Sequence, residues 1–312
     1  NHTASMLDFS APENVTLKGH SDWVLDLAFS PDGSTLVSCG CDGRFILWDM
    51  ESLTFSRAVD SGAKTVCAVR FAPDGKTLFT AQHNQWQEGW LGKWDAASGN
   101  AIVAAIPLNM DCCRKLVLSG DGQRLIAAYQ KVGVFDTVTM EQVARYKVSD
   151  YSQSLVYGLV ALDPGARLLL VGGDALPLTE VDLNTGAIRP MPRNVMLGGI
   201  ENMAVSDDGS QIAVAAGEYI SVFNRGCFDV AMRRFAYRSR DMESVALNSD
   251  GSILAGGTKL GDLVIWDIQT GRELYHNKFS GHQLINVTFS PDSRAIACCG
   301  EDGDVWLIRF PA

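Results

Sequence analysis

A closed ring of seven four-stranded antiparallel sheets is the architecture this sequence predicts, and three observations predict it. One turn of the Ser-Pro-Asp-Gly type recurs seven times, each time after a strand-like run ending on an apolar residue. Its anchors, Gly33, Gly75, Gly122, Gly165, Gly209, Gly251 and Ser293, fall 42, 47, 43, 44, 42 and 42 residues apart. Between the anchors, short runs such as Leu25-Asp26-Leu27-Ala28-Phe29 and Phe45-Ile46-Leu47-Trp48 alternate with the period of two that marks a half-buried strand. A repeat of about 40 to 45 residues holding several short strands is the length of one propeller blade. The expectation is therefore an all-β, seven-bladed β-propeller.

The elements follow in order. The first repeat opens on Gly19-His20, runs through a strand from Val24 to Phe29 and turns at Ser30-Pro31-Asp32-Gly33. A second strand covers Thr35 to Gly40, a turn falls at Asp42-Gly43, and a third strand ends on Trp48-Asp49. The corresponding third-strand ends are Trp94-Asp95, Phe135-Asp136, Val181-Asp182, Phe223-Asn224 and Trp266-Asp267. The seventh repeat stops at Ala312, just past its third strand, while Val15-Thr16-Leu17 forms a spare strand ahead of the first repeat. Left alone, that seventh sheet would expose an open edge, so the N-terminal strand is expected to complete it. Residues 6–312 read as one propeller, and Asn1 to Ser5, which precede Met6, as a linker or the remnant of an upstream region.

Composition narrows the function classes. The 312 residues are 46% hydrophobic and 20% charged with 30 glycines, as expected of a turn-rich globular β protein. A net charge of −10 opposes general binding to nucleic acid or an anionic membrane, and favours a basic partner. No apolar run approaches the roughly 18 residues that span a bilayer. The expected state is a soluble, cytoplasmic monomer without cofactor or metal. The eight cysteines (39, 41, 67, 112, 113, 227, 298 and 299) show no paired zinc-type spacing and read as free thiols, Cys39 and Cys298 lying in neighbouring blades.

These residues resemble the tryptophan-aspartate (WD) repeat family over nearly the whole chain, most fully in repeats 1, 6 and 7. The resemblance implies ring closure by the N-terminal strand, and a hydrogen-bonded chain in which Trp48 donates to Ser38, Ser38 to His20 and His20 to Asp42. Such a chain satisfies buried polar groups and locks a loop to a tight turn. The set is a structural one rather than a nucleophilic triad, because a triad needs an exposed serine and Ser38 sits in mid-strand. In repeat 6 the equivalents are Arg238, Gly256 and Leu260, so the network is expected to be lost as a unit. Repeat 7 keeps His282 and Asp302 but carries Cys298 and Ile308 at the Ser and Trp places.

Function is then sought where blades differ. Trp94 lies 19 residues beyond Gly75, whereas Trp48 lies 15 beyond Gly33, so repeat 2 has four extra residues, around His83 to Gly92. They bring Trp86 and Trp90 to what reads as a long polar loop on the top face, suited to anchoring a peptide. Alignment on the turn sets Trp23 and Leu25 against Cys112 and Arg114, Leu155 and Tyr157, Gly199 and Glu201, Asp241 and Glu243, and the neighbourhood of Leu284-Ile285. By the resemblance, these places hold peptide ligands. The apolar sector (Trp23, Leu25, Ile285) and the acidic sector (Glu201, Asp241, Glu243) suit a segment with one apolar and one basic anchor. A basic cluster of Arg225, Arg233, Arg234, Arg238 and Arg240 reads as edge protection on an outer strand, or as a patch for phosphate or an acidic partner. No catalytic motif occurs. The expected function is a non-catalytic protein- or peptide-binding scaffold; the alternatives are a sensory or regulatory module of a larger signalling protein and a propeller enzyme with acids at the channel mouth.

Overall fold

The computed structural model describes residues 7–84, 88–108, 113–128, 130–148, 155–173, 176–191, 199–228 and 230–311. Among them every regular element is a strand, and the strands form seven four-stranded antiparallel sheets. Six sheets are built from strands consecutive in sequence. The seventh runs in the order Glu13–Lys18, Asp304–Arg309, Ala295–Gly300, Leu284–Phe289, so the first strand of the chain is the outer strand of the last blade. Its register is unbroken from Glu13 opposite Arg309 to Lys18 opposite Asp304. Leu17 on this strand is 3% exposed and packs in one cluster with Leu307 of blade 7 and with Ile46 and Trp48 of blade 1, which ties the two ends of the ring together.

Local chemistry explains each blade. In blade 1 the Ser30 hydroxyl donates to Asp32 Oδ1 at 2.6 Å, the amides of Ser34 and Thr35 donate to Asp32 and Ser30, and Gly33 takes φ +72°. A left-handed residue is needed there, which explains why glycine recurs at the anchor. Blade 7 carries Ser293 at φ +61° in the same place. Blade 4 departs from the spacing: the left-handed residue is Ala166, φ +47°, not Gly165. There the bond closing the turn runs from Leu162 N to Leu168 O, one residue wider than Ser30 N to Thr35 O in blade 1. The turn is longer by one, and Asp163 fills it by accepting from Gly165, Arg167 and Leu168.

The inner strands hold a feature that alternation alone conceals. Register slips by one between Val24 and Asp26, Val66 and Ala68, Val156 and Gly158, Ile200 and Asn202, Met242 and Ser244, and Leu284 and Asn286. A β-bulge at the same height in six blades re-aims one side chain each time. Below the bulge in blade 1, Asp26 is 3% exposed and fully engaged: Oδ2 accepts from Arg70 Nη1 (2.6 Å) and Val69 N (3.0 Å), and Oδ1 from Asn286 Nδ2 (2.7 Å). This one carboxylate thereby joins blades 7, 1 and 2. The described cysteines are unbridged. Burial, then the Asp26 charge, drives the Cys39 thiol well above its ordinary range, with Cys67 and Cys299 adding to it. Cys299, rather than Cys298, is thus the blade 7 thiol that acts on Cys39.

Candidate functional site

In blade 1 Trp48 Nε1 donates to Ser38 Oγ at 2.8 Å, Ser38 lies 2.8 Å from His20 Nε2, and His20 Nδ1 lies 2.9 Å from Asp42 Oδ2. The carboxylate can only accept, so His20 carries its proton on Nδ1 and accepts from Ser38 at Nε2. Burial alone would raise the Asp42 carboxyl. The hydrogen bond from His20, with those from the Ser21 and Arg44 amides, reverses this and holds it below the usual range. Ser38 is completely buried in mid-strand, where no substrate reaches it.

The other blades solve the same problem differently. Blade 2 keeps one link, Trp94 Nε1 to Thr80 Oγ1 at 2.8 Å. In blade 6 the expected loss of the network is only half of what happens. Leu260 is exposed and Gly256 leaves room for Ile220, Met242 and Trp266, but a new set forms in which Thr258 donates to buried Asp262 at 3.0 Å and Arg240 pairs with the same carboxylate. A polar site was exchanged for another whose members each lie two residues further along the chain. In blade 7 the Ser280 hydroxyl, not His282, donates to Asp302. The His282 side chain is 62% exposed and stands 3.5 Å from Glu301 and 3.8 Å from Asp302.

The six bulged residues Leu25, Cys67, Tyr157, Glu201, Glu243 and Ile285, with Arg114 at the equivalent place in blade 3, line one pocket of about 330 Å³ at the top of the channel. Trp23, 43% exposed, stands at its rim. The Arg114 guanidinium lies over the Tyr157 ring, 5.1 Å from its centre. Lys259 Nζ is 2.8 Å from Glu201 and 3.9 Å from Glu243. Burial, then the neighbouring Glu201 charge, pushes the Glu243 carboxyl up to about 7 despite Lys259 and Lys115.

Other residues expected at the site lie elsewhere. Asp241 is exposed and outside the pocket lining; its backbone carbonyl accepts from the Lys259 amide. Trp90 is not in a loop but in the third strand of blade 2 (Gly89–Asp95), opposite Gln82 and Pro107. The four additional residues of that repeat lengthen both strands by one and the connection by two. Trp86 and Cys112 lie outside the described residues. Sequence reasoning missed Cys67, Lys115, Cys41, Thr65, His83 and Gln283 as lining residues. Cys67 was reachable, since it precedes Gly75 by the same count that separates Leu25 from Gly33.

Arg233 and Arg240 of the basic cluster are committed to the fold, and Arg238 lies over the Tyr237 ring. Arg233 spans to blade 6 and donates to the carbonyls of Gln269 (2.9 Å) and Thr270 (3.2 Å), and Arg240 holds Asp262. No group of three His, Cys, Asp or Glu side chains is close enough to hold a metal among the described residues. No described helix is long and apolar enough to cross a membrane.

Comparison with known proteins agrees with this arrangement. The family model described as WD domain, G-beta repeat, matches residues 12–49, the closing strand with the three inner strands of blade 1, and residues 273–308, the outer strand of blade 6 with the three strands that blade 7 takes from the end of the chain. A small ribosomal subunit protein, RACK1y of Oryza sativa subsp. japonica, is 32% identical over 119 residues, covering 36% of this chain and 34% of that protein. A guanine nucleotide-binding protein subunit beta of Zea mays is 21% identical over 299 residues, covering 94% of this chain and 70% of the subunit. The Arabidopsis thaliana transcriptional corepressor LEUNIG_HOMOLOG is 29% identical over 105 residues, 34% of this chain and 13% of the corepressor. The chain thus spans about a third of the first of these relatives. Seven radial sheets around a channel with a pocket at its mouth make the molecule a seven-bladed β-propeller. The tandem repeat, the matching family model and these relatives support a WD-repeat family for it.

Proposed function

We infer that the chain is a non-catalytic protein-binding scaffold that receives a peptide segment of its partner on the top face of the ring. The observation that carries this reading is the convergence of the bulged side chains on one pocket, half apolar and half charged, beneath an exposed tryptophan. Pockets of about 300 to 1,000 Å³ with an apolar wall and a few converging polar groups are the usual form of a recognition site. Exposed tryptophans are frequent anchors of protein interfaces. The relatives support the coarser part of the reading, since two of them are by name subunits of larger assemblies. The hydrogen-bonded set of His20, Ser38 and Asp42 is held by Trp48 on a buried Ser38, which accords with a structural role.

A comparative pull-down tests the reading. Wild-type protein and Trp23→Ala are immobilised at equal amounts and exposed to the same soluble proteome. Trp23 makes its exposure at the rim, so the variant should fold normally and lose at least one prey that the wild type retains. Identical prey from both proteins would refute a top-face site.

A further inference from the structure

The pocket at the channel mouth is divided by charge among the blades. Blades 7 and 1 supply an apolar side, Ile285 with Trp23 and Leu25; blade 3 supplies Arg114 and Lys115; blades 5 and 6 supply Glu201 and Glu243. Lys115 lines both this pocket and the cavity of about 430 Å³ beneath it, so it marks the floor. Its ammonium makes no hydrogen bond or ion pair among the described residues. The acid acting most strongly on it is Asp26, ahead of Glu243, and the Asp26 carboxylate is already bonded to Arg70, Val69 N and Asn286. Lys115 is half-buried where pocket and cavity meet, and desolvation there holds its ammonium below the ordinary lysine range. On the opposite side one lysine serves two carboxylates, with Lys259 close to Glu201 and more distant from Glu243. The floor ammonium thus has no directly bonded anion among the described residues, and the acidic wall shares one lysine between two carboxylates.

We propose that this pocket takes the C-terminal residue of a partner chain ending in Lys or Arg, with its α-carboxylate on Lys115, its side-chain cation between Glu201 and Glu243, and its stem against Trp23 and Leu25. The proposal rests on the top-face reading and narrows it to one class of partner. Volume favours a chain end over a through-running segment. At about 330 Å³ the pocket is at the low end for small-ligand sites, room for about one or two residues and not for two backbone arms. A terminal basic residue carries both required charges within the length of one side chain. Charge-assisted hydrogen bonds of this kind are about twice as strong as neutral ones. Trp23, exposed at the rim, is where the preceding residue of the partner would rest.

The test needs only the wild-type protein and small probes. Ligand-observed NMR measures binding of Nα-acetyl-Leu-Lys with a free carboxylate, of the same dipeptide as its C-terminal amide, of Nα-acetyl-Leu-norleucine with a free carboxylate, and of free lysine. The first should bind at least tenfold more tightly than each of the others. Lys115→Met should weaken the free-carboxylate probe to the level of the amide, and Glu243→Gln should bring it toward the norleucine probe. Equal affinity for acid and amide, or free lysine matching the dipeptide, overturns the assignment of a chain end. A phage library of internal heptapeptides separates this from the broader reading. Selected binders that require Trp23, together with no binding of the dipeptide acid, overturn the chain-end proposal and leave the top-face site standing. Failure of both the library and the dipeptide overturns the two together.

Discussion

Ring closure is the feature on which every other placement depends, and one side chain reports it. Leu17 is buried between blades 7 and 1, while its neighbour Thr16 is exposed on the same strand. Replacing a buried leucine by alanine removes apolar contact and leaves a cavity that the surroundings fill only in part, at about 2 to 5 kcal/mol. Leu17 lies on an outer strand at the margin of its cluster, so Leu17→Ala should cost about 2 to 3 kcal/mol. Thr16→Ala, an exposed substitution, should stay within about 0.5 kcal/mol. Urea denaturation followed by tryptophan fluorescence measures both, since Trp48 and Trp306 belong to the blades being joined. Deleting residues 14–17 removes most of the ladder to Asp304–Arg309 and exposes that strand as an open edge. The deletion should aggregate or unfold at distinctly lower denaturant. If Leu17→Ala and Thr16→Ala shift the midpoint equally little, the N-terminal strand does not close the ring in solution and the reasoning fails.

Two further outcomes follow from buried polar groups. His20→Ala strands the Asp42 carboxylate and Ser38 hydroxyl inside blade 1 and should cost about 2 to 4 kcal/mol. Adding Ser38→Ala should cost at least about 1 kcal/mol less than the sum of the single changes, whereas strict additivity in a double-mutant cycle would contradict a shared network. Glu243 provides the pH test. Its folded carboxyl sits near 7 against an ordinary value of 4.5, so the folded state holds the proton more tightly than the unfolded chain. That contribution is complete below pH 4.5 and disappears as pH rises to about 7, on the order of 2 to 3 kcal/mol in all. Glu243→Gln should remove the slope between pH 5 and 7 in denaturation experiments, and an unchanged slope would assign it to another group. Asp42, held low, and Asp32, held at about 2, titrate below that window and do not interfere.

Much of the fold was legible because the signals are local. The Ser-x-Asp-Gly turn satisfies its own backbone within six residues, so it can be read wherever it occurs, and the count of seven follows. The same count places Leu25, Arg114, Tyr157, Glu201 and Glu243 at one height. Alignment was accurate even in blade 4, where the longer turn displaces the left-handed residue but not Tyr157. Trp90 was misjudged because extra residues between two strands can extend a hairpin as readily as a loop, and spacing does not distinguish them.

The chain alone determined the repeat and the number of blades, because both rest on turn hydrogen bonds between residues close in sequence, and the strand-like run ahead of the first repeat marked the strand available for closure. Tertiary structure decided the rest. Arg240 and Thr258 meet on Asp262 in place of the lost blade 6 network, Asn286 reaches Asp26 across 260 positions of sequence, and Lys115 comes to line one pocket with Glu201 and Glu243 of other blades. These are choices about which distant side chains share a desolvated space. Their energies depend on distance and burial, and neither exists until the ring has closed.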